Sequence, residues 1–463
     1  MLLSGKRAGN HRGVRGRLEF AISSNRNRVR KESRTPRFLC KSGKAHKQQN
    51  QDRKFQNSLL LISGLNLRTA YDPPLAEASL TLSGVTDLPQ AHGFEVIGHA
   101  APCVVRRAHG YSGQRALAIL SRGCEQKAFP GAAFAVAHNS STVLQGAVGR
   151  FTYDEGSDDV TLSTIFDIAS VTKVVATTAM TMLLYERGRL GLQQPVIEIL
   201  PEFELEDSRR KLVTIEMLLA HSSGLPAYVK LFQQARDRES LLKAALQVPL
   251  EQDPGTHAEY SDIGFILLGG LLERIAGETL DLFCSREIFV PLEMQSTFFC
   301  PTAELRRTIP PTRNHQDFRH RVIQGEVYDE NASVMGGVSG HAGLFSKTAD
   351  LMQFSATVLG LGTQLFRPQT IELFTQRQAT PPRTSRALGW DTPSSPSQSG
   401  KHFSPNSFGH LGYTGTSLWI DAQRKIAIAL LTNRTWPDNQ SQLIKQIRPA
   451  FHDAVMEEVL KTS

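Results

Sequence analysis

The spacing of apolar positions changes several times along the chain, and each change predicts an element. Residues 131–138 (Gly-Ala-Ala-Phe-Ala-Val-Ala-His) and 142–148 (Thr-Val-Leu-Gln-Gly-Ala-Val) are short apolar runs on either side of Asn139-Ser-Ser, the pattern of a β-hairpin. A helix is predicted over 114–124 ahead of them. The longest apolar-periodic stretch, 166–184, predicts a helix with Ser170 in its first turn. Further helices are predicted over 214–221, stopped by Ser222-Ser-Gly-Leu-Pro226, over 240–246 with Ser240 as N-cap, and over 262–276, stopped by Gly277. Towards the end, 408–412, 416–421 and 425–431 read as an antiparallel meander, and 441–460 has apolar residues at helical spacing.

Strands at both ends with helices between them predict an α+β fold. One antiparallel sheet is flanked by helices, a mainly helical lobe is inserted, and the cleft between sheet and lobe is the natural pocket. This domain is expected to span 112–463. Residues 65–111, punctuated by Pro and Gly, read as a linker, and 1–64 read as a basic arm without fixed structure.

Charge changes this picture only at the arm. The whole chain of 463 residues carries a formal net +8, but residues 1–60 hold 16 Lys+Arg against 3 Asp+Glu, so the remaining 403 residues carry −5. Such an arm fits a tether to nucleic acid or another anionic surface, an Arg-rich targeting peptide, or a solvated tail; the last is the expectation adopted. The run Leu59-Leu-Leu-Ile-Ser-Gly64 is too short and misplaced for a secretory signal, and no apolar run is long enough to span a bilayer. The compartment stays open. Five widely spaced cysteines form no Cys-x-x-Cys pair, which argues against a disulfide framework or a zinc site.

Three short constellations carry candidate chemistry. Ser-x-x-Lys places a hydroxyl and an ammonium on one helical face, where the cation can activate the serine. The spacing occurs three times, at Ser170/Lys173, Ser208/Lys211 and Ser240/Lys243. Ser208 lies in a charge run that reads as a solvated face or turn, and only Ser170 has apolar flanks that would bury the pair. Tyr260-Ser261-Asp262 follows a turn and opens a helix. Tyr260 near a lysine could be a general base through a lowered phenol pKa, or the triplet could be a packed aromatic with a helix cap. His410-Leu411-Gly412-Tyr413-Thr414-Gly415 is a glycine-bearing strand edge whose backbone could approach a ligand and point an N–H at an oxyanion, or simply a strand with a histidine on one face and a glycine bulge. There is no Gly-x-Ser-x-Gly elbow, the near miss being Gly337-Val-Ser-Gly-His341, and neither His-Glu-x-x-His nor a P-loop occurs.

In that chain order the three constellations resemble the signature of the penicillin-recognising serine enzymes, in particular the branch of class C β-lactamases, DD-peptidases and esterases. Leu218-Leu-Ala-His-Ser-Ser-Gly-Leu-Pro226 resembles the family's helix-ending turn, Gly336-Gly-Val-Ser-Gly-His-Ala-Gly-Leu-Phe-Ser346 its glycine-rich cleft loop, and Phe408 to Asp421 the terminal strand pair of its penicillin-binding-protein 4B-like members. The resemblance covers about residues 112–460. It implies Ser170 as acylated nucleophile, Lys173 as its activating cation, Tyr260 as proton relay, and His410 as a donor of a hydrogen bond or positive charge. The oxyanion would lie between the N–H groups of Ser170 and Tyr413, with Gly412 and Asp262 lining the substrate site. No cofactor or metal is implied, and the substrate is expected to be a small ester, amide or peptide. Two positions depart from the pattern. Asp262 stands where the family has asparagine and is expected either to pair with Lys173 or to weaken binding of β-lactam side chains. Leu411 lacks the hydroxyl that would meet a substrate carboxylate. Both point to ester hydrolysis over action on β-lactams.

Overall fold

The computed structural model describes residues 102–462, all within the unit 88–463 into which the contacts gather the chain. Eleven strands occur among them: β1 (Cys103–Arg107), β2 (Gly131–His138), β3 (Ser141–Gly149), β4 (Phe166–Asp167), β5 (Phe298–Phe299), β6 (Pro311–His315), β7 (Arg321–Gln324), β8 (Leu344–Ser346), β9 (Phe408–Leu411), β10 (Ser417–Asp421) and β11 (Ile426–Thr432). Six form the main antiparallel sheet in the order β1-β3-β2-β11-β10-β9, so the two ends of the domain meet where β2 pairs with β11. The α+β architecture expected from the sequence is the one observed.

Why this sheet forms is visible in its alternation. Along β2, Ala133, Ala135 and Ala137 face one core and Ala132, Phe134 and Val136 the other; β11 divides Ala427, Ala429 and Leu431 from Ile426, Ile428 and Leu430 in the same way. A period of two puts alternate residues on opposite faces, and both faces are covered, so the strands read as nearly continuous apolar runs. The smaller core lies under two helices, Gln114–Glu125 and the closing helix Ile444–Thr462, with Phe134 against Phe451 (5.2 Å between ring centroids). The larger core joins the other face to the inserted helical region. The β2–β3 turn has Asn139 and Ser140 both at positive φ (51° and 67°), a two-residue geometry that matches the twist of a hairpin.

Four expectations need revision. The span 65–111 was expected to be a linker, but β1 lies inside it and pairs with β3 through Cys103–Val148 to Arg107–Leu144. Residues 65–101 and the basic arm 1–64 fall outside the described residues. Second, the 166–184 stretch is not one helix: a strand (β4) leads into a 3₁₀ turn at Ala169–Val171, a π-helical segment Lys173–Thr178 and an α-helix Ala179–Glu186. It is buried nearly all round, so its apolar residues mark a central element. Third, the N-cap of Arg238–Gln247 is Asp237, with Ser240 completing a capping box at the third helical position. Fourth, Arg210, within the run that read as solvated, is buried and donates to Leu246 O and Val248 O. The four described cysteines are free, and no helix among the described residues is long and apolar enough to cross a membrane.

Candidate active site

The nucleophile segment is held in an unusual backbone state. Ala169 has φ 46°, a left-handed conformation that an L-residue adopts at a cost of about 1 kcal/mol. Asp167 offsets this, its buried carboxylate accepting from Ala169 N (2.8 Å) and Tyr328 N (2.7 Å). The π-helical turn that follows is the kind of local widening found at functional sites. Here it places Lys173, with no exposed surface, beneath Ser170.

All three Lys173 N–H bonds have acceptors: Ser170 Oγ at 3.1 Å, Asp262 Oδ1 at 2.6 Å and His341 O at 3.1 Å. Asp262 thus forms an ion pair with Lys173, one of the two outcomes posed for it. Burial alone would depress the Lys173 pKa, but Asp262 reverses the effect and the net shift is upward. Lys173 therefore stands as an ammonium. Its Nζ also lies 4.8 Å from the centroid of the Tyr260 ring.

Tyr260 does not fit the phenolate expected of it. Burial raises its pKa, Lys173 opposes the rise, Asp262 adds to it, and the net shift is upward. The carboxylate that replaces the family's amide is part of the reason the phenol stays neutral. His221 positions this triplet. Its Nδ1 accepts from Ser261 N (3.0 Å), and its ring lies 4.7 Å from that of Tyr260. Ser261 caps the helix Asp262–Ala276, accepting from Gly264 N, so the capping reading of the triplet is the one observed in the backbone.

His410 also departs from expectation. Its Nδ1 lies 2.8 Å from Leu411 O, and since a carbonyl can only accept, Nδ1 carries the proton. Burial, then the charges of Lys173 and Arg386, hold its pKa well below the usual value. The ring is neutral, and Nε2 is a buried lone pair without a partner among the described residues. His410 thus offers an acceptor to the cleft and not the donor or positive charge expected.

The strand edge is docked onto the nucleophile segment by two threonines that the sequence reading passed over. Thr414 Oγ1 donates to Asp167 O (2.8 Å) and Thr416 Oγ1 to Ile168 O (3.0 Å). Gly412 is required at this junction, because a Cβ there would lie 1.9 Å from Thr416 Oγ1 and 2.5 Å from Ile168 O. Tyr413, half exposed, is stacked on Tyr328 (5.5 Å) and lies under the Arg434 guanidinium (4.3 Å). Neither the Ser170 nor the Tyr413 N–H has an acceptor among the described residues, which leaves both for an oxyanion.

These groups line a cavity of about 1160 Å³ that contains Ser170, Tyr260, Asp262, His410, Gly412 and Tyr413 together. Ser170, Tyr260, Asp262, His410, Gly412 and Tyr413 therefore meet in one cleft, and Lys173 reaches it only through Ser170 and Asp262 from a fully buried position. Asp167, His221, His341, Thr414 and Thr416 were missed as site residues. His221, His341, Thr414 and Thr416 lie within the stretches that resemble the family, which marked the segments without telling which of their residues support the site.

The fold and cleft define the class of β-lactamase-like and penicillin-binding-protein-like hydrolases. EstCE1, described as a hydrolase with promiscuous acyltransferase activity, superposes with a TM-score of 0.60 at 21% identity over 73% of this chain and 98% of its own. At that identity the likeness concerns the fold alone. Residues 116–448 match the family described as Beta-lactamase, and the chain belongs to that family. Among curated relatives, an N-acetylmuramyl-L-alanine amidase of Bacillus subtilis is 33% identical over 344 residues, covering 66% of this chain and 77% of its own. A putative D-alanyl-D-alanine carboxypeptidase of Escherichia coli K12 is 32% identical over 305 residues, covering 59% and 70%.

Proposed function

We propose that the protein is a serine hydrolase that cleaves an ester or amide through an acyl-enzyme on Ser170, with esterase-like preference. The observation that carries this reading is the 3.1 Å contact between a fully buried ammonium and the Ser170 hydroxyl at the floor of an open cleft. As Oγ attacks the carbonyl, Lys173 stabilises the negative charge developing on it, and the Ser170 and Tyr413 N–H groups receive the oxyanion. A neutral Tyr260 suits a concerted relay: the phenol oxygen takes the serine proton as its own proton passes to the leaving oxygen or nitrogen. Deacylation reverses the relay, with water supplying the proton that returns to Ser170. Leu411, which lacks a hydroxyl to meet a substrate carboxylate, supports the preference for neutral esters.

A second reading, hydrolysis of a peptide ending in a carboxylate, is supported by one feature of the cleft. Arg434, Lys445 and Arg448 lie along one wall, and none pairs with a carboxylate among the described residues. Arg448 is buried, its Nε has no partner, and burial followed by Arg434 pulls its pKa down to about 9. A substrate anion would supply what the wall lacks. The names of the amidase and carboxypeptidase relatives agree with this reading.

The test is covalent labelling by a fluorophosphonate followed by intact-mass measurement. A single adduct on the wild type, lost in Ser170→Ala, is expected; well-folded wild type without an adduct removes the proposal. Parallel turnover of p-nitrophenyl acetate, a cephalosporin and a D-Ala-D-Ala peptide ranks the two substrate readings.

A further inference from the structure

The near-miss segment Gly337-Val-Ser-Gly-His341 has a role that its sequence does not announce. It belongs to a loop with Gly336, Gly337 and Gly343 all at positive φ (80°, 87° and 120°), and a glycine-rich loop has little rigidity of its own. Yet this loop supplies the third acceptor of Lys173, the His341 carbonyl. Its placement depends on anchors. Gly340 O accepts from Thr177 Oγ1 (2.7 Å), and Gly340 lies so close to the next helix that a Cβ there would sit 2.1 Å from Phe265 O.

Arg238 holds the loop from outside through Val338 O (2.7 Å), and the anchor next to the Lys173 contact is the His341 side chain, which is almost fully buried and bonded at both nitrogens. Nε2 lies 2.8 Å from Asp329 Oδ1, and Nδ1 lies 2.8 Å from Ser339 Oγ. Asp329 is fixed in turn, because Oδ1 also accepts from Ala332 N (2.7 Å) at the cap of the helix Glu330–Val334. The three side chains have the composition of a catalytic triad, but Ser339 is 1% exposed, so it is not accessible as a nucleophile. What the chain of bonds can do is fix the His341 main chain.

We infer that Asp329 and His341 are positioning residues for Lys173: the Asp329–His341–Ser339 chain locks the flexible loop so that the His341 carbonyl meets the ammonium and keeps Nζ on Ser170. The inference rests on the proposed role of Lys173 in acylation. Loosening the carbonyl frees one of three ammonium bonds and lets Nζ drift towards Asp262, away from Oγ. Misplacement of a reacting group by about 1 Å costs about a hundredfold in rate.

The experiment pairs a kinetic readout with one that does not depend on activity. Ammonium protons of a buried lysine with three acceptors exchange slowly, so Lys173 of the ¹⁵N-labelled wild type should give an observable Nζ–H signal at low temperature. In Asp329→Ala this signal should broaden or vanish, and kcat on p-nitrophenyl acetate should fall roughly ten- to a hundredfold with KM within about twofold. Asp329→Asn keeps an oxygen that can accept from Nε2 and should restore both the signal and most of kcat. Ser339→Ala removes the second anchor and should give a smaller effect of the same kind. It carries the test if Asp329→Ala does not fold. An unchanged Lys173 signal and kcat in folded Asp329→Ala, or in Ser339→Ala where that variant is the one measured, overturns the inference. Failure of Asp329→Asn to rescue also overturns it, since Asp329 would then act by charge and not by position. If the wild type takes no fluorophosphonate adduct while the Lys173 signal still depends on Asp329, the acyl-enzyme reading fails and the positioning stands.

Discussion

Asp262 is one residue that changes the character of the site. An asparagine there would offer Lys173 a neutral acceptor; the carboxylate holds it at 2.6 Å as an ion pair with the lysine fully buried. Because the folded Lys173 pKa is raised above its ordinary value of 10.5, the pair stabilises the fold in full below that value and loses its effect only as pH rises through the higher folded pKa. Asp262→Asn should therefore cost about 2 kcal/mol at neutral pH, as expected for a hydrogen bond stripped of its charge, and the gap between variant and wild type should close above about pH 10.5. Denaturant melts at pH 7 and pH 11 measure this. The variant's activity should also fail earlier on the alkaline side, since burial without the carboxylate pulls the lysine pKa down.

Arg448 is a second residue-scale case, with the opposite sign. A buried guanidinium without a carboxylate disfavours the fold while it is charged, and such groups are often replaced by apolar side chains with a gain. Arg448→Met should raise unfolding stability by about 1–3 kcal/mol. If the carboxylate reading of the cleft is right, the same change lowers kcat/KM for a D-Ala-D-Ala peptide relative to a neutral ester. Equal effects on both substrates would place the anion elsewhere.

At the scale of elements, the site is built where the β9–β10 turn meets the nucleophile segment. Thr414 and Thr416 are both fully buried, and each spends its hydroxyl on a main-chain carbonyl of residues 167–168. The junction thereby couples the Tyr413 N–H to Ser170, which lie 243 residues apart in the chain. Gly412→Ala should part the two segments, with kcat falling about a hundredfold while the far-ultraviolet circular dichroism is unchanged. Retention of more than half the wild-type rate would show that the turn does not set the oxyanion position.

For the whole molecule, the sheet order makes β1 an edge strand that covers β3. A chain starting at residue 88 keeps β1 and its pairing with β3. One starting at residue 113 exposes the β3 edge, an unpaired row of backbone groups that invites association, and should melt lower and aggregate on heating. Light scattering during a thermal ramp distinguishes the two.

The sequence by itself determined the elements with strong local signals. Short apolar runs between turn residues marked β2, β3, β10 and β11, glycine and proline stops marked the helix ends near 221 and at 276 (the first closes at Leu219), and Ser170, Lys173, Tyr260 and His410 were recognisable as residue types in a telling order. It did not determine the protonation of those residues, because that depends on which charges share a low-dielectric space. Lys173 is charged and Tyr260 and His410 are neutral owing to Asp262, Arg386 and burial, and only the tertiary structure brings these together. Nor could sequence show β1, a strand of five residues whose partner is more than thirty residues away, or Asp329, His341, Thr414 and Thr416 as supports of the site. Thr414 and Thr416 bond main-chain carbonyls 247 and 248 residues away, and Asp329 and His341 meet across 12 residues of chain, so their pairing follows from the fold.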